Sequence, residues 1–153
     1  MIINNETDYA LRILRCLADG EKHNMRNLCD EEVVPQQFAY KILRKLAAGG
    51  LVKSTRGVNG GVQLICDLNK VTLLDVVNLT DTERYVTDCM RPGSKCNWVE
   101  KHCKQCTVHT RLVQIQKELD KEMRKCTVAE MMGLAKPKKK AAPKTAGKKS
   151  SKA

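Results

Sequence analysis

One segment near the middle of the chain constrains the fold more than any other. Gly49-Gly50 closes a helical pattern. Two short β-prone runs follow, Leu51–Thr55 and Val62–Cys66, joined by Arg56-Gly57-Val58-Asn59-Gly60-Gly61. Glycine and asparagine at such a tip supply the unusual backbone angles a tight hairpin needs, so the segment predicts a two-stranded wing. Helical patterns precede it. Tyr9, Ile13, Leu14 and Leu17 recur at helical spacing and predict a first helix over Asn4–Ala18, with Asn4, Asn5 or Thr7 as cap. Asn24 caps a short second helix, about Met25 to Glu31, and a tight connection passes through Val33 and Val34. Pro35 opens a third helix, whose apolar face is Phe38, Ile42, Leu43 and Leu46.

Beyond the wing, Thr72-Leu73-Leu74-Asp75 reads as a capping box for a short helix ending near Asp81. No period is visible from Cys89 to Cys106, and the segment is expected to be a loop. Val108, Leu112, Ile115, Leu119 and Met123 then mark a long amphipathic helix with a seam narrow enough for a partner helix. Thr127-Val128-Ala129-Glu130 caps a last short helix. With aromatics at 3% of 153 residues, the core must be built from Leu, Val, Ile, Met and Ala. The expected fold class is mainly α with a small two-stranded β wing: a winged helix-turn-helix plus a long dimerisation helix. Residues 1–82 form the DNA-binding domain, 83–106 a cysteine-rich loop, 107–134 the dimerisation helix and final short helix, and 135–153 a disordered lysine-rich tail.

The formal net charge is +11, and eight of the lysines lie in residues 135–153, which hold no acid. The remaining 20 basic and 17 acidic residues leave the body at +3. A fold of this order presents its third helix to the major groove, where base edges carry a readable pattern of donors and acceptors. Gln36, Gln37, Tyr40 and Lys41 lie early enough on that helix to reach bases, and Lys41, Arg44 and Lys45 can meet phosphates. The wing brings Arg56, Asn59 and Gly60 to the duplex, with Arg56 able to enter the minor groove. The bland alternative is that these charges are the solvated face of a helical domain. The order of the elements favours double-stranded DNA.

Eight cysteines are many for this length, and no apolar run resembles a signal peptide or could span a bilayer. The expected compartment is therefore the cytoplasm, with no membrane partner, where clustered thiols mean metal or redox chemistry. Cys89, Cys96, Cys103 and Cys106 are separated by six, six and two residues. Soft thiolates at this density point to a metal and suit an iron–sulfur cluster, structural zinc or copper(I) without saying which. Thiol switching without metal is a third possibility. Cys16, Cys29, Cys66 and Cys126 are assigned to packing, and His23 and His102 have no partner pattern. No phosphate loop, catalytic triad or cofactor fingerprint is present, so an enzyme is not expected.

Several motifs together resemble the Rrf2 family of winged-helix regulators, over about residues 1–133. They are Thr7-Asp8-Tyr9-Ala10-Leu11-Arg12, Gly50-Leu51-Val52-Lys53-Ser54 leading into the glycine-rich tip, the cysteine loop before a long helix, and Thr127-Val128-Ala129-Glu130-Met131-Met132. The family includes a regulator of iron–sulfur assembly, a nitric-oxide sensor and an iron-responsive repressor. The resemblance implies a homodimer paired through the long helix. It also implies a cluster, 2Fe–2S or 4Fe–4S, held by three cysteines and one other ligand. The assembly regulator has a histidine three positions after its last cysteine, which His109 matches after Cys106. The nitric-oxide sensor uses an aspartate near the N-terminus from the partner subunit, which Asp8 matches. Here the cysteine gaps are six and six where five is common, and one cysteine is extra, so Cys103 or Cys106 can be the third ligand, or all four cysteines can bind and make Asp8 and His109 dispensable. The resulting expectation is a dimeric repressor that binds an operator under control of its cluster. The alternatives are a zinc-stabilised or cluster-free regulator and a nucleoid-associated protein.

Overall fold

Asn4 starts the first helix as its sequence requires. Its Oδ1 accepts from the Thr7 N–H at 3.0 Å, and Glu6 and Asp8 lie in the positive first turn. The structure is a computed structural model describing residues 3–57, 60–81 and 84–134. Helix α1 spans Asn5–Cys16, shorter than the expected run to Ala18. Leu17–Asp19 tighten into a 3-10 turn, and Gly20 in the left-handed region ends it. Helix α2 spans Met25–Glu31, with Asn24 Oδ1 accepting from the Arg26 N–H at 2.8 Å. After a turn through Val33 and Val34, helix α3 runs from Gln36 to Ala48, with Pro35 just before it.

Strands β1 (Val52–Thr55) and β2 (Gly61–Leu64) pair antiparallel, Val52 opposite Leu64 and Thr55 opposite Gly61. His23 extends this wing, bonding Val62 through both backbone groups at 2.8 and 2.9 Å. Helix α4 spans Leu73–Thr80 and opens with the expected reciprocal Thr72–Asp75 box. Helix α6 spans Thr107–Lys125, and α7, Val128–Met131, opens with the same device between Thr127 and Glu130.

The segment between Cys89 and Cys106 departs from its expectation as a plain loop. It holds a short helix, α5 (Asn97–His102), preceded by a 3-10 turn at Asp88–Met90. None of the α5 residues is buried, so the helix has no apolar stripe and leaves no period in the sequence.

The core gathers Ile13, Leu14 and Leu17 with Leu28, Ile42, Leu46, Val52, Val62 and Val76. Val128 and Ala129 of α7 lie in the same core, so the last helix among the described residues returns to the first three. Ala39, not Phe38, fills the α3 core position; Phe38 is part-exposed and packs its ring 5.8 Å from Tyr9. Leu73, Leu74 and Val77 of α4 meet Met123 of α6 in a second cluster. Truncating one of the fully buried leucines would cost about 2–5 kcal/mol. Among the described residues, no helix is long and apolar enough to cross a membrane.

Candidate DNA interface and cysteine centre

Helix α3 divides into two stripes, as a 3.6-residue period demands. Ala39, Ile42, Leu43 and Leu46 face the core, while Gln37, Tyr40, Lys41 and Arg44 form the outer face with Gln36 at its start. Tyr40 is 58% exposed although it is a large aromatic. Between this face and the wing lies a groove of about 500 Å³, lined by Tyr40 and Arg44 on one side and Ser54, Arg56 and Gly60 on the other. Gly60 sits where a Cβ would come 2.5 Å from the Thr55 carbonyl oxygen, so the tip can close this tightly only without a side chain. Asn59 lies outside the described residues.

Two of the expected phosphate-binding lysines are already engaged. Lys41 Nζ meets Glu6 Oε1 at 2.5 Å, and Lys45 Nζ meets Glu6 Oε2 at 2.6 Å. Lys45 is half-buried and also donates to the Thr80 carbonyl at the end of α4, at 2.5 Å. These lysines, first through their hydrogen bonds and then through charge, hold the Glu6 carboxyl below its ordinary value of 4.5. Glu6 was not among the expected site residues. Its signal was faint, because nothing local marks a first-turn acid as the partner of a helix 35 residues away.

The cysteine segment brings some of its donors together. Cys89 Sγ lies 3.3 Å from His109 Nδ1, and the His109 N–H donates to Cys106 Sγ at 3.4 Å. Cys106 is thus the side-chain cap of α6, and His109 stands in that helix's first turn. Cys96 and Cys103 flank opposite ends of α5. Cys103 is exposed, has a left-handed backbone, and turns its thiol to the Glu100 carbonyl. Asp8 lies on α1, paired with Arg12 at 2.9 Å, and shares a surface pocket with Met131 and Met132. Among the described residues, no three His, Cys, Asp or Glu side chains already surround one metal position. The donor types nonetheless suit soft metal chemistry: the Cys89 thiol meets the His109 imidazole, and the Cys106 thiol lies against the His109 backbone N–H at the start of α6.

The family model for iron-dependent transcriptional regulators named Rrf2 matches residues 3–133. The chain belongs to the Rrf2 family. Its members are transcriptional regulators that bind DNA and are not enzymes, in keeping with the groove between α3 and the wing. The chain is 37% identical over 95 residues to protein aau3 of Rhizobium meliloti, covering 61% of this chain and 62% of that protein. It is 29% identical over 92 residues to the HTH-type transcriptional regulator NsrR of Bacillus subtilis, covering 58% and 63%. The chain therefore spans a little over three fifths of the length of these relatives. Among solved structures, Staphylococcus aureus CymR in its oxidized form matches with a TM-score of 0.64 at 17% identity, covering 90% of this chain and all of that one. IscR of T. potens matches with a TM-score of 0.63 at 15% identity, covering 86% and 85%. At these identities the structures bear on the fold alone.

Within this Rrf2 fold the cysteine segment is tied to α6 by a polar residue that the sequence reading passed over. Gln116 is 5% exposed; its Oε1 accepts from the Val86 N–H at 2.9 Å and its Nε2 donates to Asp120 at 2.8 Å. Arg84 reaches the same Asp120 oxygen at 2.8 Å. The available signal was a glutamine four residues after Leu112 and three before Leu119, on the face that turns inward.

Proposed function

We propose that this chain is a homodimeric, sequence-specific repressor whose grip on its operator is set by an iron–sulfur cluster in the cysteine segment. The observation that carries this reading is the contact of the Cys89 thiol with the His109 imidazole, beside the Cys106 thiol that caps α6. Cys89, Cys96 and Cys106 would hold the cluster with His109 as the fourth ligand. Cys103 is the weaker candidate because its thiol turns back on α5, and Asp8 of the partner subunit is the rival fourth ligand. When bound, a cluster of the 2Fe–2S or 4Fe–4S type supplies a redox- and nitric-oxide-responsive centre. The match to the HTH-type transcriptional regulator NsrR supports a regulator of this kind, and zinc remains the alternative metal.

The protein's own part is to carry the state of this segment to the DNA face. Gln116 and Asp120 hold Val86 and Arg84, a few residues before Cys89, against α6. Met123 packs α6 on α4, and Lys45 ties the end of α4 to α3. A change at the cysteines thus has a contiguous path to the reading helix, the kind of coupling two linked sites require. The exposed part of α6 supports dimerisation: Ile115 and Leu119 line a largely apolar groove that a second α6 would fill.

Anaerobic purification with visible spectroscopy and analysis of iron, sulfide and zinc tests the cofactor. Footprinting of loaded and stripped protein on genomic DNA tests the regulation. A brown protein with acid-labile sulfide, whose footprint changes on cluster loss, is expected. A colourless protein with stoichiometric zinc overturns the cluster reading and leaves the DNA-binding one standing.

A further inference from the structure

A second group of metal-type donors lies away from the cysteine segment. Cys16 ends α1, His23 precedes α2 and Glu31 ends α2. Cys16 Sγ is 3.6 Å from His23 Nδ1 and 3.9 Å from Glu31 Oε2. His23 Nε2 lies 2.9 and 3.0 Å from the two carboxylate oxygens of Asp19. An ionised carboxylate only accepts, so in the neutral imidazole Nε2 carries the proton and Nδ1 turns its lone pair to the thiol. A carboxylate behind a histidine in this way is the usual support of a metal-binding imidazole.

We propose that Cys16, His23 and Glu31 form a zinc-class dication site, with Asp19 orienting His23 and water completing a tetrahedron. The spacing of the first two donors is already right. Bonds of about 2.3 Å to sulfur and 2.0–2.1 Å to nitrogen at a tetrahedral angle put the two ligand atoms roughly 3.5 Å apart. Glu31 is exposed and completes the set by turning its side chain inward, which is why no three such donors yet surround one point among the described residues. The surroundings favour a cation. The carboxylates of Glu31 and Asp19 lie against Cys16 and His23. Binding replaces the thiol proton by the metal: Cys16–SH and Zn²⁺ give Cys16–S–Zn⁺ and a proton released to solvent. The site would brace the ends of α1 and α2 against the wing, because the His23 backbone is bonded to Val62 on β2.

The test uses the full chain with Cys89, Cys96, Cys103 and Cys106 all changed to serine, so that the proposed cluster ligands cannot take zinc. Calorimetric titration with zinc chloride against a competing chelator should show one zinc per chain. Adding Cys16→Ser or His23→Gln should abolish that binding, and Asp19→Asn should weaken it about 10- to 100-fold. Cys126→Ser should leave it unchanged. Cobalt(II) in place of zinc should give a sulfur-to-cobalt absorption band that is lost with Cys16→Ser. Should the serine variant not fold, the wild-type chain and Cys16→Ser are compared instead, and the expected difference is one metal ion per chain. A folded serine variant that binds no zinc overturns the site. So does binding indifferent to Cys16→Ser and His23→Gln, or equal metal content in the wild-type comparison. None of these results touches the cluster proposed in the cysteine segment.

Discussion

Val33 carries the least comfortable backbone of the described chain for its side chain. Its φ is 52°, in the left-handed region, and a β-branched residue there is strained. Its side chain is 74% exposed and loses little if removed. The strain buys the sharp turn that sets α3 against α2. Val33→Asn should therefore raise stability by about 1 kcal/mol, since asparagine tolerates this conformation, seen as a higher melting temperature with an unchanged far-UV spectrum. Cysteine roles also separate at this scale. Cys29 is buried as expected of a packing residue, and Cys16, given the same role from sequence, packs half-buried against the core while also meeting His23 and Glu31.

At the scale of elements, α3 turns Tyr40 and Arg44 outward and is tethered inward through Lys45, so the exposed and tethered positions are adjacent. Tyr40→Ala should lower the preference for operator over scrambled duplex by on the order of 1–3 kcal/mol, the worth of a good base contact. Arg44→Ala should weaken both duplexes alike, because phosphate contacts position without specifying. Lys45→Ala should do something further. It removes a charged hydrogen bond to the Thr80 carbonyl, worth about 1.5 kcal/mol, so the melting temperature should fall while Arg44→Ala leaves it alone. Glu6 makes this tether pH-dependent. Its folded pKa is depressed below 4.5, so its contribution is fully present above that value and is lost as pH falls through the lower, folded one. Melting curves of wild type and Glu6→Gln should differ at pH 6 and converge on acidification below pH 4.5. A gap that persists at low pH would show that Glu6 acts by packing rather than charge.

For the whole molecule, the proposal to be tested is that the cysteine segment and α3 share one equilibrium. Gln116→Leu removes the hydrogen bonds to Val86 and Asp120 while keeping the volume on the inward face of α6. Cluster content should stay the same, while the ratio of operator affinities between loaded and stripped protein should shrink toward one. An unchanged ratio would take Gln116 out of the path. For the tail we propose a separate, non-specific grip on DNA. Residues 135–153 lie outside the described ones, and their eight lysines are known from sequence. Each phosphate contact contributes a slope of roughly −0.9 in log affinity against log salt. If half of these lysines engage, truncation after Ala135 should flatten that slope by about three to four units and leave operator preference nearly intact. An unaltered slope would make the tail a solubilising extension.

What the sequence determined by itself is local and periodic. Asn4, Thr72 with Asp75, and Thr127 with Glu130 cap their helices as read, because a cap and its partner lie within three residues. The stripe Ile42, Leu43 and Leu46, the stop at Gly49-Gly50 and the glycine-rich wing tip needed no distant partner either, and they were enough to place the fold. Only the tertiary structure decided the rest. It returned Val128 to the core of α1–α3, gave Lys41 and Lys45 to Glu6, joined Cys89 to His109, and set Cys16 beside His23. It also showed α5, which buries nothing and so writes no period. The physical reason is common to all of these: side-chain chemistry fixes what a residue can bond, whereas the partner it meets depends on how helices far apart in the chain are packed.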